Sequence, residues 1–139
     1  MNKSRKRIKL VTYAGVLPFY LSPITGYYDY TESLVIFSEI KMISSLYAAL
    51  IVCFLSGMQW QKIIDANIKG FFFFIPLLPL FLVLTHTFYD NEIYSSLTLV
   101  LSLFFSLLID LILYKKKSDI WFKKLRISAT ILASISFFI

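Results

Sequence analysis

Apolar residues run along this chain in five long stretches separated by short polar or charged connections. The stretches cover about residues 10–28, 41–60, 68–87, 93–114 and 120–138, each close to the length a helix needs to cross a hydrocarbon layer. The pattern predicts an all-α integral membrane protein, with five transmembrane helices forming one domain over residues 1–139.

Each stretch carries its own signal. The first follows Lys3, Arg5, Lys6, Arg7 and Lys9 and contains Pro18, Pro23 and Gly26, which predicts a kinked or early-ending helix. A basic head before an apolar core also resembles a signal peptide. No A-x-A-like cleavage site follows the core, so it is expected to stay as the first span. The second stretch, from about Leu34 to Trp60, is longer than a bilayer requires and has Glu39 and Lys41 near its start. Its first turns are expected at the interface. Ser45, Ala49, Cys53 and Gly57 then recur every four residues, a spacing that predicts a close helix-to-helix contact or arises by chance. In the third stretch, Phe71 to Phe74 precede Pro76 and Pro79. These prolines free carbonyls in the preceding turn, which must find a neighbouring helix, a hydroxyl or water, and a kink is expected near Phe72 to Ile75.

The fourth stretch holds one acid, Asp110, in a run otherwise apolar or hydroxylic. Steps of four back from it reach Ser106, Ser102 and Thr98, so one helical face is polar and is expected to look inward. If stretches four and five form an antiparallel hairpin turning near Ser118, then Asp110 and Arg126 lie eight residues to either side of it. They are predicted to meet as an ion pair, with room for a bidentate contact. The alternative is that both snorkel to the nearby headgroups.

Composition agrees: hydrophobic residues make up 58% of the chain and charged ones 16%, too little charge to cover a soluble domain. Charge also orients the spans. With the amino terminus cytoplasmic, the tail, Lys62, Lys69, Lys115 to Lys117, Lys123, Lys124 and Arg126 fall inside, leaving only Lys41 of the 14 basic residues outside. The carboxy terminus is then outside. These basic residues flank apolar spans rather than forming a basic domain, which argues against nucleic acid as a partner. Cys53 is the single cysteine, so an intramolecular disulfide is excluded and a packing role is expected.

Several segments resemble a known family. Thr12-Tyr13-Ala14-Gly15-Val16-Leu17-Pro18-Phe19 is similar to the opening of the membrane family of domain of unknown function 3429, which includes transmembrane-protein-69-like proteins of mitochondria. Phe54-Leu55-Ser56-Gly57-Met58-Gln59-Trp60 resembles its Phe-Leu-Gly-Gly-x-His-Trp signature. Leu107 to Asp110 resembles the Leu-rich stretch ending in Asp of its fourth span, and Trp121 through Leu125-Arg126 resembles the opening of its fifth. The family's histidine is Gln59 here and its first glycine Ser56, so a role that needs an imidazole does not carry over. The resemblance implies the fold and little about activity.

No Gly-rich phosphate loop, H-E-x-x-H or nucleophile elbow is present, and no catalytic residue, metal or cofactor is predicted. His86, Asp90 and Glu92 are close in sequence but read as a solvated loop before a metal site. Gln59 and Trp60 mark the inner end of the second stretch, where Trp belongs at an interface in any case. Structural or binding candidates are therefore Asp110, Arg126, Ser106, Ser102, Thr98, Gly57, Gln59 and Trp60. Three functions fit: a non-enzymatic accessory or assembly subunit with a protein partner in the bilayer, a small transporter or ion-conducting protein, or an intramembrane enzyme acting on a lipid or quinone. The bacterial inner membrane is the expected location, and the mitochondrial inner membrane the alternative.

Overall fold

Helix is interrupted at Pro18 and before Pro76, while Pro23 and Pro79 sit in the first turn of the helices that follow. The computed structural model describes residues 3–28, 34–86, 88, 91–114 and 119–139, and among these every regular element is helical. In chain order they are α1 (Lys3–Ala14), a 3-10 segment (Leu17–Tyr20), α2 (Leu21–Tyr28), α3 (Leu34–Asp65), a second 3-10 segment (Gly70–Phe74), α4 (Leu77–His86), α5 (Glu92–Leu113) and α6 (Ile120–Ser136). The first stretch thus begins earlier than its apolar core, because the basic head is itself helical, and it is interrupted between Gly15 and Tyr20. The expected kink of the third stretch is the 3-10 segment and turn before Leu77.

Both breaks are closed in the same way. A 3-10 turn pairs each N–H with the carbonyl three residues back, and a proline leaves that carbonyl without its donor. For Pro18 the carbonyl is that of Gly15, and the Tyr47 hydroxyl donates to it at 2.8 Å. For Pro76 it is that of Phe73, and the Trp60 indole N–H donates to it at 2.8 Å. Both donors stand on α3, so the longest helix repairs the two proline breaks. Its own end needs no outside help. Asn67 adopts a left-handed conformation (φ 51°), and the N–H groups of Asn67 and Ile68 reach back to the carbonyls of Ile64 and Ile63. At the start of α5 the Asn91 side chain accepts from the Ile93 N–H at 2.9 Å.

Pairwise contacts fix the relative direction of the segments. Arg5 lies over Trp121, Tyr13 bonds to Ser128, Tyr20 donates to the Leu132 carbonyl and Phe19 meets Phe137 edge-on at 5.8 Å. The first segment therefore runs parallel to α6 along almost all of its length. Tyr47 on Gly15 and Ser44 on Pro18 make α3 antiparallel to it. Gln59 on Ser106 and Lys62 over the Tyr114 ring make α3 and α5 parallel. The pair His86 and Ser95 closes α4 and α5 as an antiparallel hairpin, and Tyr114 against Phe122 does the same for α5 and α6. Five successive segments alternate in direction.

A buried cluster of Phe19, Ala48, Val52, Val83, Leu99, Leu103 and Ala133 forms the middle of this bundle. The outside is equally apolar: Leu50, Phe54, Phe81, Leu84, Leu108 and Ile112 are all exposed. Two helical stretches, Glu39–Asp65 and Ile93–Leu113, are long and apolar enough to cross a membrane. The small-residue face of α3 is not the face that packs within the chain. Ser45 and Ala49 are half-buried, but Cys53 is exposed and a Cβ on Gly57 would meet nothing within 4 Å. Instead the stripe one residue earlier, Ser44, Ala48, Val52 and Ser56, is buried and leads to Gln59 and Ile63.

Tyr47→Phe keeps the ring and Trp60→Phe leaves a smaller one, and each removes one donor. Each is expected to destabilise the fold by about 1–2 kcal/mol, the cost of leaving a carbonyl unpaired away from water. Unfolding by denaturing detergent measures it, and an unchanged midpoint for both would show that these bonds do not hold the breaks.

Candidate functional site

An apolar stripe along α3 ends in an amide, and that amide faces the acid of α5. Spacing of three and four residues from Val52 through Leu55 places Gln59 on the buried side, where it is 1% exposed. Gln59 Nε2 donates to Asp110 Oδ1 at 3.0 Å, and lies 2.9 Å from the Ser106 carbonyl and 3.0 Å from Ser106 Oγ. An amide nitrogen has two hydrogens, and three acceptors around it fix the orientation of the group. From the other side Arg126 Nε donates to Asp110 Oδ2 at 2.6 Å. The carboxylate is thus held by α3 through one oxygen and by α6 through the other.

The pairing of Asp110 with Arg126 follows the hairpin geometry, and neither side chain snorkels: they are 6% and 8% exposed. The contact is single rather than bidentate. Gln59 donates to Oδ1 and Arg126 Nε to Oδ2, while Arg126 Nη2 is buried with no hydrogen-bond partner. Two further polar atoms of α3, Gln59 Oε1 and Ser56 Oγ, are buried in the same condition. Ser102 and Ser106 are fully buried and Thr98 is half-buried, so the polar face of α5 does look inward. Its hydroxyls are engaged locally: Thr98 Oγ1 donates to the Ser95 carbonyl at 2.8 Å and Ser102 Oγ to the Leu99 carbonyl at 2.7 Å.

The remaining candidates lie apart. Trp60 stacks on Phe73 at 6.3 Å and serves the proline break, and Gly57 points away from the cluster. Asp90 falls outside the described residues, as does the Glu92 side chain, and His86 is held by Ser95 with 2.6 Å between Nδ1 and Oγ. Among the described residues no group of three metal-ligating side chains assembles. Two features were not anticipated. The link between Gln59 and Asp110 was open to inference, since Gln59 continues the spacing of Val52 and Leu55 in a stripe that is otherwise apolar or small. The Lys62 ammonium over the Tyr114 ring at 4.7 Å had no such signal, because it depends on the parallel register of α3 and α5.

The cluster should behave as one unit. Asp110→Ala leaves Arg126 buried without its anion and is expected to destabilise by roughly 3–5 kcal/mol. The double variant Asp110→Leu with Arg126→Met removes both charges and should recover most of that loss. A double variant as unstable as the single one, by detergent denaturation followed by circular dichroism, would contradict the pairing.

No curated protein and no solved structure matches the chain. One family model does, over residues 4–139, a range that takes in the Gln59, Asp110 and Arg126 cluster and both proline breaks. The chain belongs to the family described as protein of unknown function (DUF3429).

Proposed function

We propose that this is a polytopic inner-membrane protein of five transmembrane spans, amino terminus cytoplasmic and carboxy terminus outside, that works as a non-enzymatic accessory or assembly subunit. Three features support the membrane reading. Successive segments alternate in direction, large apolar side chains cover the outside, and the first segment runs beside α6 almost to its end. The basic residues of α1 and of the start of α6 share one end of the bundle, the end assigned to the cytoplasm by the charge bias.

One observation carries the accessory reading. The charged and amide groups of the interior, Gln59, Asp110 and Arg126, are bonded to one another across three helices, an arrangement suited to holding a shape. The function then lies on the outer faces, where α3 presents Cys53 and Gly57 uncovered. A second reading, a small transporter or ion-conducting protein, is favoured by Ser56 Oγ, Gln59 Oε1 and Arg126 Nη2, buried polar atoms with bonding capacity left over.

Cys53 offers a direct test of the spans, being the only cysteine and exposed on α3. In native membranes it should resist a charged maleimide that labels it readily once the protein is unfolded in denaturing detergent, and equal labelling in both states would refute the membrane placement. For the role, purification in mild detergent should recover a stoichiometric protein partner. Recovery of the chain alone, together with ion or solute flux lost in a folded Asp110→Asn variant, would favour the transporter.

A further inference from the structure

Away from the Asp110 cluster, the line where α1 runs beside α6 brings cations and an apolar groove together. Arg5 lies 5.4 Å above the Trp121 ring, and the Tyr13 hydroxyl donates to Ser128 Oγ at 3.2 Å. These two contacts bracket one to two turns of each helix. Lys9 stands four residues before Tyr13 and so shares its face of α1, while Lys124 stands four residues before Ser128 on α6. Two lysines are therefore set at one depth on adjacent parallel helices. Lys9 is half-buried although it is a lysine, whereas Lys124 is exposed.

Like charges on one level of neighbouring helices repel, and the acids at this end of the bundle, Asp65, Asp110 and Asp119, each make contacts of their own. Asp65 accepts from Gln61 at 2.9 Å, Asp110 is bonded to Gln59 and Arg126, and Asp119 makes an interaction of its own within the chain, although its buried Oδ2 has no hydrogen-bond partner. An anion from outside would relieve the repulsion. From Lys124 an open groove of about 400 Å³ continues past Ile127, Ser128, Ile131 and Leu132. Eight residues of helix give it a length of roughly 12 Å. It is cationic at one end and apolar along the rest, and its apolar walls are too exposed to be a finished core: Ile131 is 46% and Leu132 36% exposed.

The geometry points to a binding site for one anionic phospholipid at the α1–α6 crossing, its phosphate between Lys9 and Lys124 and one acyl chain along Ile127 and Ile131. The charge selects an anionic headgroup over a zwitterionic one, and the groove selects a lipid over a free phosphate. The site rests on the chain lying in a membrane, and it adds a specific lipid to that reading. In function it would tie the basic first helix to the last helix through a molecule of the bilayer.

Native mass spectrometry of the full-length protein, in micelles holding equal amounts of phosphatidylglycerol and phosphatidylcholine with identical chains, tests this. One phosphatidylglycerol per chain should be retained in preference. Lys9→Gln and Lys124→Gln should each lower that retention about fivefold. Ile131→Trp should lower it with the charge unchanged, by filling the groove, and Lys69→Gln, at the turn after α3, should leave it as it was. Equal retention of the two lipids overturns the proposal, as does a loss with Lys69→Gln as large as with Lys124→Gln, or full retention in Ile131→Trp. Because lipid binding is read in micelles, a negative result leaves the span topology, tested through Cys53, to stand separately.

Discussion

A carboxylate inside an apolar bundle has to be met by donors at each of its oxygens, and this requirement fixes the register of three helices. Asp110 on α5 receives Gln59 from α3 and Arg126 from α6. In the membrane reading proposed above, lipid supplies no hydrophobic force to press one span against another, so directional contacts of this kind would decide which faces meet. The pair need not contribute net stability over an apolar packing of the same volume. Its effect is on uniqueness. Sliding α3 by one residue would bring Gly57 and Cys53 inward and take Gln59 off the acid.

The same logic extends to the breaks. Pro18 and Pro76 each interrupt a helix and leave a carbonyl without a donor, and α3 supplies an aromatic donor to each. With Gln59, three side chains of one helix are committed to three different neighbours: the first segment, the segment before α4, and α5. α3 itself carries no proline and runs unbroken from Leu34 to Asp65, while the first and third stretches beside it are broken. It is the strut against which the others are set.

Much of this was legible in the sequence, for identifiable reasons. The five apolar stretches appear as helical segments because their lengths and proline positions constrain the backbone directly. The depth of Asp110 and Arg126 followed from counting away from a short hairpin, which needs no knowledge of the other helices. The inward polar face of α5 followed from its period. What failed was the choice of face on α3. Ser45, Ala49, Cys53 and Gly57 satisfy a spacing rule, but so does the stripe one residue earlier, and only the acid on α5 decides between them. The contact of Arg126 with Asp110 is single where a bidentate one was expected, and the second donor to the carboxylate, Gln59, stands on a helix far away in sequence. Contacts that depend on how non-adjacent helices are registered leave no local trace.

That limit bears on function. An acid buried in an apolar bundle invites a proton-relay reading, yet here both oxygens are engaged, Ser106 Oγ accepts from Gln59, and the Thr98 and Ser102 hydroxyls bond to their own helix. A relay would have to break the bond to Gln59 or Arg126 at each passage, and breaking either would loosen the register that the bond enforces. Of the buried polar atoms with spare capacity, Arg126 Nη2 and Gln59 Oε1 belong to the residues that hold the carboxylate, and Ser56 Oγ lies one turn before Gln59 on α3. The groups that could meet other molecules are on the outside: the uncovered face of α3, and the lysine-headed groove of α6. In the accessory reading proposed above, the interior is held fixed so that the perimeter keeps its shape.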